Sequence, residues 1–141
     1  MAITKDVGRQ TPLAAQIDFT FLTLETDAGA ASGGIRTALV LPAFDIPPNA
    51  VVVGGEVVIT TAFAGATVGV IDVGDGGSTT RYATNVNLLA AARTALTITG
   101  FKYSEWDTID FVVDTTVAAC SAGAGYVRLQ YVTVGRVTEN V

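Results

Sequence analysis

The sequence contains no histidine, one cysteine and few charged residues. Histidine is the commonest general base and the commonest metal ligand, so its absence excludes Ser-His-Asp and Cys-His catalysis and His-containing zinc sites. The single Cys120 excludes an intrachain disulfide, and its small apolar neighbours predict a buried small side chain rather than a reactive thiol. These absences indicate a protein that is not an enzyme and that needs no metal or other cofactor.

Charged residues make up 15% of the chain, against about 25% in an ordinary soluble domain. The surface must therefore carry mostly Thr, Ser, Asn and Gly, or another subunit must cover much of it. The formal net charge is −5, and the eight basic residues are scattered, so we expect no nucleic-acid partner. No run reaches the roughly 20 apolar residues that span a bilayer, and the first residues lack the apolar core of a signal peptide. We expect no membrane partner and no secretion.

A chain of 141 residues fits one domain with a real core. Alternating apolar and polar residues, with Gly and Pro between the runs, predict seven or eight strands. The fold class expected is all-β, an antiparallel β-sandwich of jelly-roll type, over residues 15–141, with an extended N-terminal arm at 1–14. Pro42 is expected to end the second strand, and Gly54-Gly55 to mark a bulge or bend. The predicted strands cover 16–25, 36–41, 51–63, 67–73, 95–99, 107–114 and 126–134, with at most one short helix, over 85–93.

Two groups of carboxylates are candidate chemical sites. Residues 72–77, Asp-Val-Gly-Asp-Gly-Gly, resemble a calcium loop, but position twelve of such a loop would be Ala83 instead of Glu. A tight turn with glycines at positive φ is the preferred interpretation. The second group could serve a glycosidase, but the solvated face of a strand explains it more simply. Its members are Glu105, Asp107, Asp110 and Asp114.

Aromatic side chains concentrate in residues 101–106, Phe-Lys-Tyr-Ser-Glu-Trp. If Tyr103 and Trp106 are exposed, their rings would stack on sugar rings or anchor a protein partner. Alternatively, the segment caps one end of the core. The core cap is the preferred interpretation. Of the two binding roles, a contact with a protein partner is preferred to a sugar site.

The arm at residues 1–14 has too few large apolar groups to dock firmly on its own core. It is a candidate partner contact through Ile3, Val7, Arg9 and Leu13. Such an arm could order on binding by adding a strand to a neighbour's sheet edge. The alternative is a disordered tail, and the sequence leaves both open.

Residues 36–134 resemble small β-rich structural proteins of tailed-bacteriophage virions, in particular head decoration (capsid cement) proteins. The resemblance rests on Leu41-Pro42, the run 51–63, the segment 70–77, Arg81-Tyr82, residues 95–100 and the closing strand 127–131. Residues 1–35 carry no resemblance.

This resemblance implies a non-enzymatic protein that binds and stabilises the phage capsid. Its partner would be the major capsid protein or another virion protein. It would act as a homo-oligomer, a trimer by analogy, on the capsid surface after synthesis in the host cytoplasm. Two alternatives stay open: a tail or fibre module, and a carbohydrate-binding β-sandwich that uses Tyr103 and Trp106.

Overall fold

The computed structural model describes residues 11–21, 36–116 and 120–134. Eight β-strands lie within these ranges and form two four-stranded antiparallel sheets. The strands are β1 Leu13–Thr20, β2 Arg36–Ile46, β3 Ala50–Ala64, β4 Val68–Asp75, β5 Ser78–Asn87, β6 Ala92–Ala95, β7 Asp107–Thr116 and β8 Ala122–Thr133.

The strand orders are β1-β8-β3-β6 in the first sheet and β2-β7-β4-β5 in the second. The first strand pairs with the eighth, the second with the seventh, the third with the sixth and the fourth with the fifth. This is a long hairpin rolled over on itself, and the β3–β8 and β4–β7 pairs close the two sheets. The predicted all-β, jelly-roll-like sandwich is confirmed.

The core lies between the sheets, where alternate residues of each strand point inward. Val57 and Ile59 of β3 face inward from one sheet, and Ile109 and Phe111 of β7 face inward from the other. Phe19 of β1 bridges the layers, because its ring centroid lies 6.0 Å from that of Phe111 in edge-to-face contact. The aromatic and β-branched inner faces therefore fix the register of both sheets.

The helix predicted over 85–93 is wrong. Strand β5 continues to Asn87, and β6 begins at Ala92. Between them the fully buried Leu88 donates its N–H to the Gly69 carbonyl and accepts from the Phe63 N–H, both at 2.9 Å. These bonds connect Leu88 to β4 of one sheet and β3 of the other, so tertiary pairing overrides the helix propensity of the alanine run. No helix in the described part of the chain is long and apolar enough to cross a membrane.

Three strand predictions also need correction. The strand predicted over 95–99 is instead β6, which ends at Ala95. Strand β5 was not predicted. Pro42 does not end β2, which continues to Ile46 with a register shift after Pro42. Proline is tolerated there because β2 lies at the edge of its sheet.

The predicted irregularity at Gly54-Gly55 is confirmed by a register shift between Val52 and Gly54. Gly55 has φ +152°, and a Cβ on it would lie 2.4 Å from the Arg128 carbonyl oxygen. Only glycine permits this close approach of β3 to β8.

Candidate partner-binding site

The segment 101–107 crosses one end of the sandwich, beside the start of β3. Tyr103 donates its N–H to the Ala50 carbonyl at 3.0 Å and accepts from the Asn49 N–H at 2.7 Å. Lys102 forms an isolated bridge with Val51. The segment therefore extends the sheet locally, and its backbone is held against the start of β3.

Tyr103 is buried in the core, and its hydroxyl connects two other polar groups. The hydroxyl donates to Asp75 Oδ2 at 2.7 Å. The Tyr82 hydroxyl lies 2.8 Å from that of Tyr103. Because Tyr103 has one hydroxyl hydrogen and gives it to the carboxylate, Tyr82 is the donor to Tyr103. This burial fits the core-cap interpretation for Tyr103, and it leaves Tyr103 without the exposed ring that a partner contact or a sugar site would need.

The carboxylate of Asp75 is only 1% exposed and accepts hydrogen bonds from four neighbours. The Gly77 and Ser78 N–H groups donate to Oδ1 at 3.0 and 2.8 Å. Arg81 donates from Nη2 to Oδ1 at 3.1 Å and from Nε to Oδ2, and Tyr103 also donates to Oδ2. The bidentate arginine and the backbone donors satisfy a charge that would otherwise be costly to bury.

These contacts shift the pKa values of the buried groups. Burial opposes ionisation of Asp75, but the hydrogen bonds from Arg81, Tyr103 and Ser78 and the charge of Arg81 outweigh it and lower the Asp75 pKa. Burial raises the pKa of Tyr103, as do its hydrogen bonds with Tyr82 and Asp75. Burial likewise raises the pKa of Tyr82. The cluster is therefore stable as an aspartate, an arginine cation and two neutral phenols.

The predicted tight turn in 72–77 is confirmed, with Gly76 and Gly77 joining β4 to β5. The expected positive φ is wrong for both glycines. The turn is closed instead by Asp75, which accepts the backbone N–H groups that follow it. Within the described ranges, no three His, Cys, Asp or Glu residues are grouped as metal ligands.

Trp106 projects from the same segment and is 72% exposed, the largest exposed fraction among the large apolar side chains of the described residues. It lines two shallow hollows of about 380 and about 350 Å³. The first hollow also includes Glu105 and Asp107, and the second includes Asp45 and Asp107. The indole therefore lies among three carboxylates.

Phe101 supports this surface from one side. Its ring lies 5.0 Å from the Tyr103 ring in edge-to-face contact, and Arg81 Cζ lies 3.6 Å from its centroid. The arginine that holds Asp75 thus also holds the aromatic segment through a cation–π contact.

The solvated-face interpretation of the carboxylates is wrong for Asp110, which is buried and accepts a hydrogen bond from the Thr108 hydroxyl at 2.7 Å. Strand β7 lies between β2 and β4, and Val112, on the same face as Asp110, is buried too. Asp107 and Asp114 are half-buried, and Glu105 is exposed. The alternation thus identified the inner face of β7 but not the burial of its outer face.

A second polar group, not predicted from the sequence, crosses the outer face of the first sheet. Glu56 forms ion pairs with Arg93 and with Arg128, the latter at 3.5 Å between Oε1 and Nη1. Arg128 also donates to Gln16 Oε1 from Nη2 at 2.9 Å. Gln16, Arg128 and Glu56 lie opposite one another in register. Only the strand order brings them together.

The other predicted contact residues lie apart from Trp106. Leu13 is exposed in β1, an edge strand of the first sheet, opposite Tyr131. Ile3, Val7 and Arg9 lie outside the described residues. Cys120 is buried, as predicted.

No protein-family model and no curated protein matches the sequence. Solved structures share the fold. A chain in the capsid asymmetric unit of cyanophage Pam1 superposes with a TM-score of 0.62 at 17% identity, covering 94% of this chain and 99% of that one.

Two further chains are similar. One belongs to the capsid of Ralstonia phage GP4, with a TM-score of 0.59, 15% identity and coverage of 87% of this chain and 84% of that chain. The other belongs to an acid-stable capsid structure of Helicobacter pylori bacteriophage KHP30, with a TM-score of 0.51, 13% identity and coverage of 84% and 92%. At these identities the likeness is one of fold.

Proposed function

We propose that this protein is a non-enzymatic structural component of a phage virion that binds the capsid shell and stabilises it as a decoration protein. The observation that carries the proposal is the match to a chain of the cyanophage Pam1 capsid, which extends over nearly the whole of both chains. Two other similar chains also come from phage capsid structures. A match over the full fold favours a common role more than a match to one motif would.

The surface of the molecule supports binding to other proteins. Decoration requires a complementary surface and no reaction chemistry, and protein interfaces are depleted of charge at their centres. Only 15% of the residues are charged. Large apolar side chains are exposed on several elements, namely Leu13, Val40, Val53, Val68, Ile98, Phe101, Trp106 and Val134.

The partner proposed is the major capsid protein, and the assembled form proposed is a homo-oligomer, a trimer by analogy with decoration proteins. Residues 1–14 are proposed as a binding arm, although Leu13 and Ala14 already belong to β1. The edge strands are β1 and β6 in the first sheet and β2 and β5 in the second, and the arm could add a strand to such an edge of a neighbouring chain. Deletion of residues 2–12 should therefore weaken binding to capsids that lack the protein, and unchanged binding would contradict the arm.

The test is to count copies of the protein in purified virions of the phage that carries the gene. Quantitative mass spectrometry should find hundreds of copies per particle, and particles without the gene should break at a lower temperature. Adding the purified protein should restore the lost stability. A few copies per particle would indicate a tail or fibre module instead, and absence from particles would refute a virion role.

A further inference from the structure

The backbone on both sides of Trp106 is hydrogen-bonded to a strand, while the indole itself is exposed. Its segment is fixed by the backbone bonds of Tyr103 and by Phe101, which packs between Tyr103 and Arg81. A segment whose backbone is already ordered loses less conformational freedom when a partner binds it. Exposed tryptophan on a rigid base is typical of the few residues that supply most of an interface's affinity.

The charge around Trp106 is of one sign. Asp45, Glu105 and Asp107 line the two hollows with the indole, and neither hollow includes a lysine or an arginine. The neighbouring Arg81 is engaged below the surface with Asp75. Lys102 belongs to the same segment but lines neither hollow.

We infer that the surface formed by Trp106, Asp45, Glu105 and Asp107 binds an arginine or lysine side chain of the shell protein, with the cation on the indole face and the carboxylates around it. This inference rests on the proposed function. Tryptophan is the best aromatic partner for a cation, and carboxylates accept the hydrogen bonds of a guanidinium or ammonium group. A purely apolar partner would instead bury these three carboxylates without compensation.

The experiment measures binding of the purified protein to capsids from a phage strain that lacks the gene. Trp106→Ala should weaken binding at least about tenfold, as expected for a central tryptophan. The control Thr61→Ala truncates an exposed side chain of β3, about 35 Å along the strand from Ala50, which bonds to the Trp106 segment, and should bind like the wild type. Equal binding by Trp106→Ala and the wild type would overturn the inference.

The charge requirement is tested by Glu105→Gln and Asp45→Asn, which keep the side-chain shapes. Each should weaken binding a few-fold, and the double variant should depend less on salt than the wild type. Asp18→Asn, an exposed carboxylate on the first sheet, is the matched control. If neither charge variant nor salt changes the affinity, the partner is not basic.

Footprinting separates failure of the site from failure of the proposed function. Trp106 is the chain's single tryptophan, so hydroxyl-radical oxidation of its peptide can be followed by mass spectrometry on whole particles. Capsid binding should protect Trp106. Wild-type protein that binds capsids with Trp106 still oxidised would refute this site alone, whereas wild-type protein that does not bind would refute the proposed function. Selective glycan binding that is lost in Trp106→Ala would also overturn the inference, in favour of a sugar site.

Discussion

The molecule contains two arginine–carboxylate groups of similar chemistry in different surroundings. At the end of the sandwich, Asp75 is 1% exposed and its partner Arg81 is 18% exposed. On the outer face of the first sheet, Glu56 is 13% exposed and Arg93 is 69% exposed. Both members of the first pair are therefore largely shielded from solvent, whereas the arginine of the second pair is mostly exposed.

The difference shows how burial changes what such a pair does. The Asp75 carboxylate fixes the β4–β5 turn, Arg81 and Tyr103, and through them the segment that presents Trp106. Glu56 and Arg128 lie on strands whose register the backbone ladder already fixes. The buried group therefore determines the structure of a surface, whereas the exposed group lies on a sheet that would form without it.

The largest expected effect is that of Asp75→Asn. The new NH₂ group would face donors from Arg81 or Tyr103 and leave a buried cation without its counterion. We expect a loss of about 3 kcal/mol in the free energy of unfolding, measured by urea denaturation. Asp18→Asn, as the exposed control, should change it by less than about 0.5 kcal/mol. A loss below about 1 kcal/mol for Asp75→Asn would show that the cluster is not structurally important.

The same contribution should disappear in acid. The folded state lowers the Asp75 pKa, so the stabilisation is complete above the ordinary carboxyl pKa of about 4 and is lost as pH falls through the lowered value. The gap in melting temperature between wild type and Asp75→Asn should therefore be constant near neutral pH and narrow below about pH 4. A gap that stays constant to pH 2 would contradict the lowered pKa.

The two tyrosines should differ although they touch each other. Tyr103→Phe removes a donor to Asp75 and leaves the Tyr82 hydroxyl without its acceptor, which should cost about 2 kcal/mol. Tyr82→Phe leaves the Tyr103–Asp75 bond intact and should cost about 1 kcal/mol. Thermal and urea unfolding of both variants would measure the difference. A larger loss for Tyr82→Phe would reverse the assigned direction of the hydrogen bonds.

Alternation in the sequence predicted the sandwich and most of its strands, because the inner faces of β3, β7 and β8 carry their apolar residues at every second position. The alternation did not predict the segments whose structure depends on tertiary contacts. Considered by itself, the alanine-rich stretch before Arg93 has the composition of a helix. Leu88 is nevertheless buried and hydrogen-bonded to β3 and β4, which are distant from it in the sequence.

Only the aromatic residues of the candidate site were predicted from the sequence. Tyr103 and Trp106 stand together in the sequence, but nothing local separates the buried ring from the exposed one. The group of Asp75, Arg81 and Tyr103 was missed because its members are brought together by the β4–β5 hairpin and by the pairing of Tyr103 with the start of β3. Long-range pairing of this kind leaves no periodic pattern.

The smallest expected effect is that of Glu56→Gln on the outer face. Arg93 is 69% exposed and water can replace its partner, while the amide oxygen of glutamine still accepts a hydrogen bond. The expected loss is below about 1 kcal/mol and should shrink further in molar salt, because exposed ion pairs are screened. Urea denaturation at low and high NaCl measures the loss of stability and its dependence on salt. In the same series, Asp75→Asn should keep most of its larger loss at high salt. A loss for Glu56→Gln as large as that of Asp75→Asn would mean that exposure does not separate the two groups.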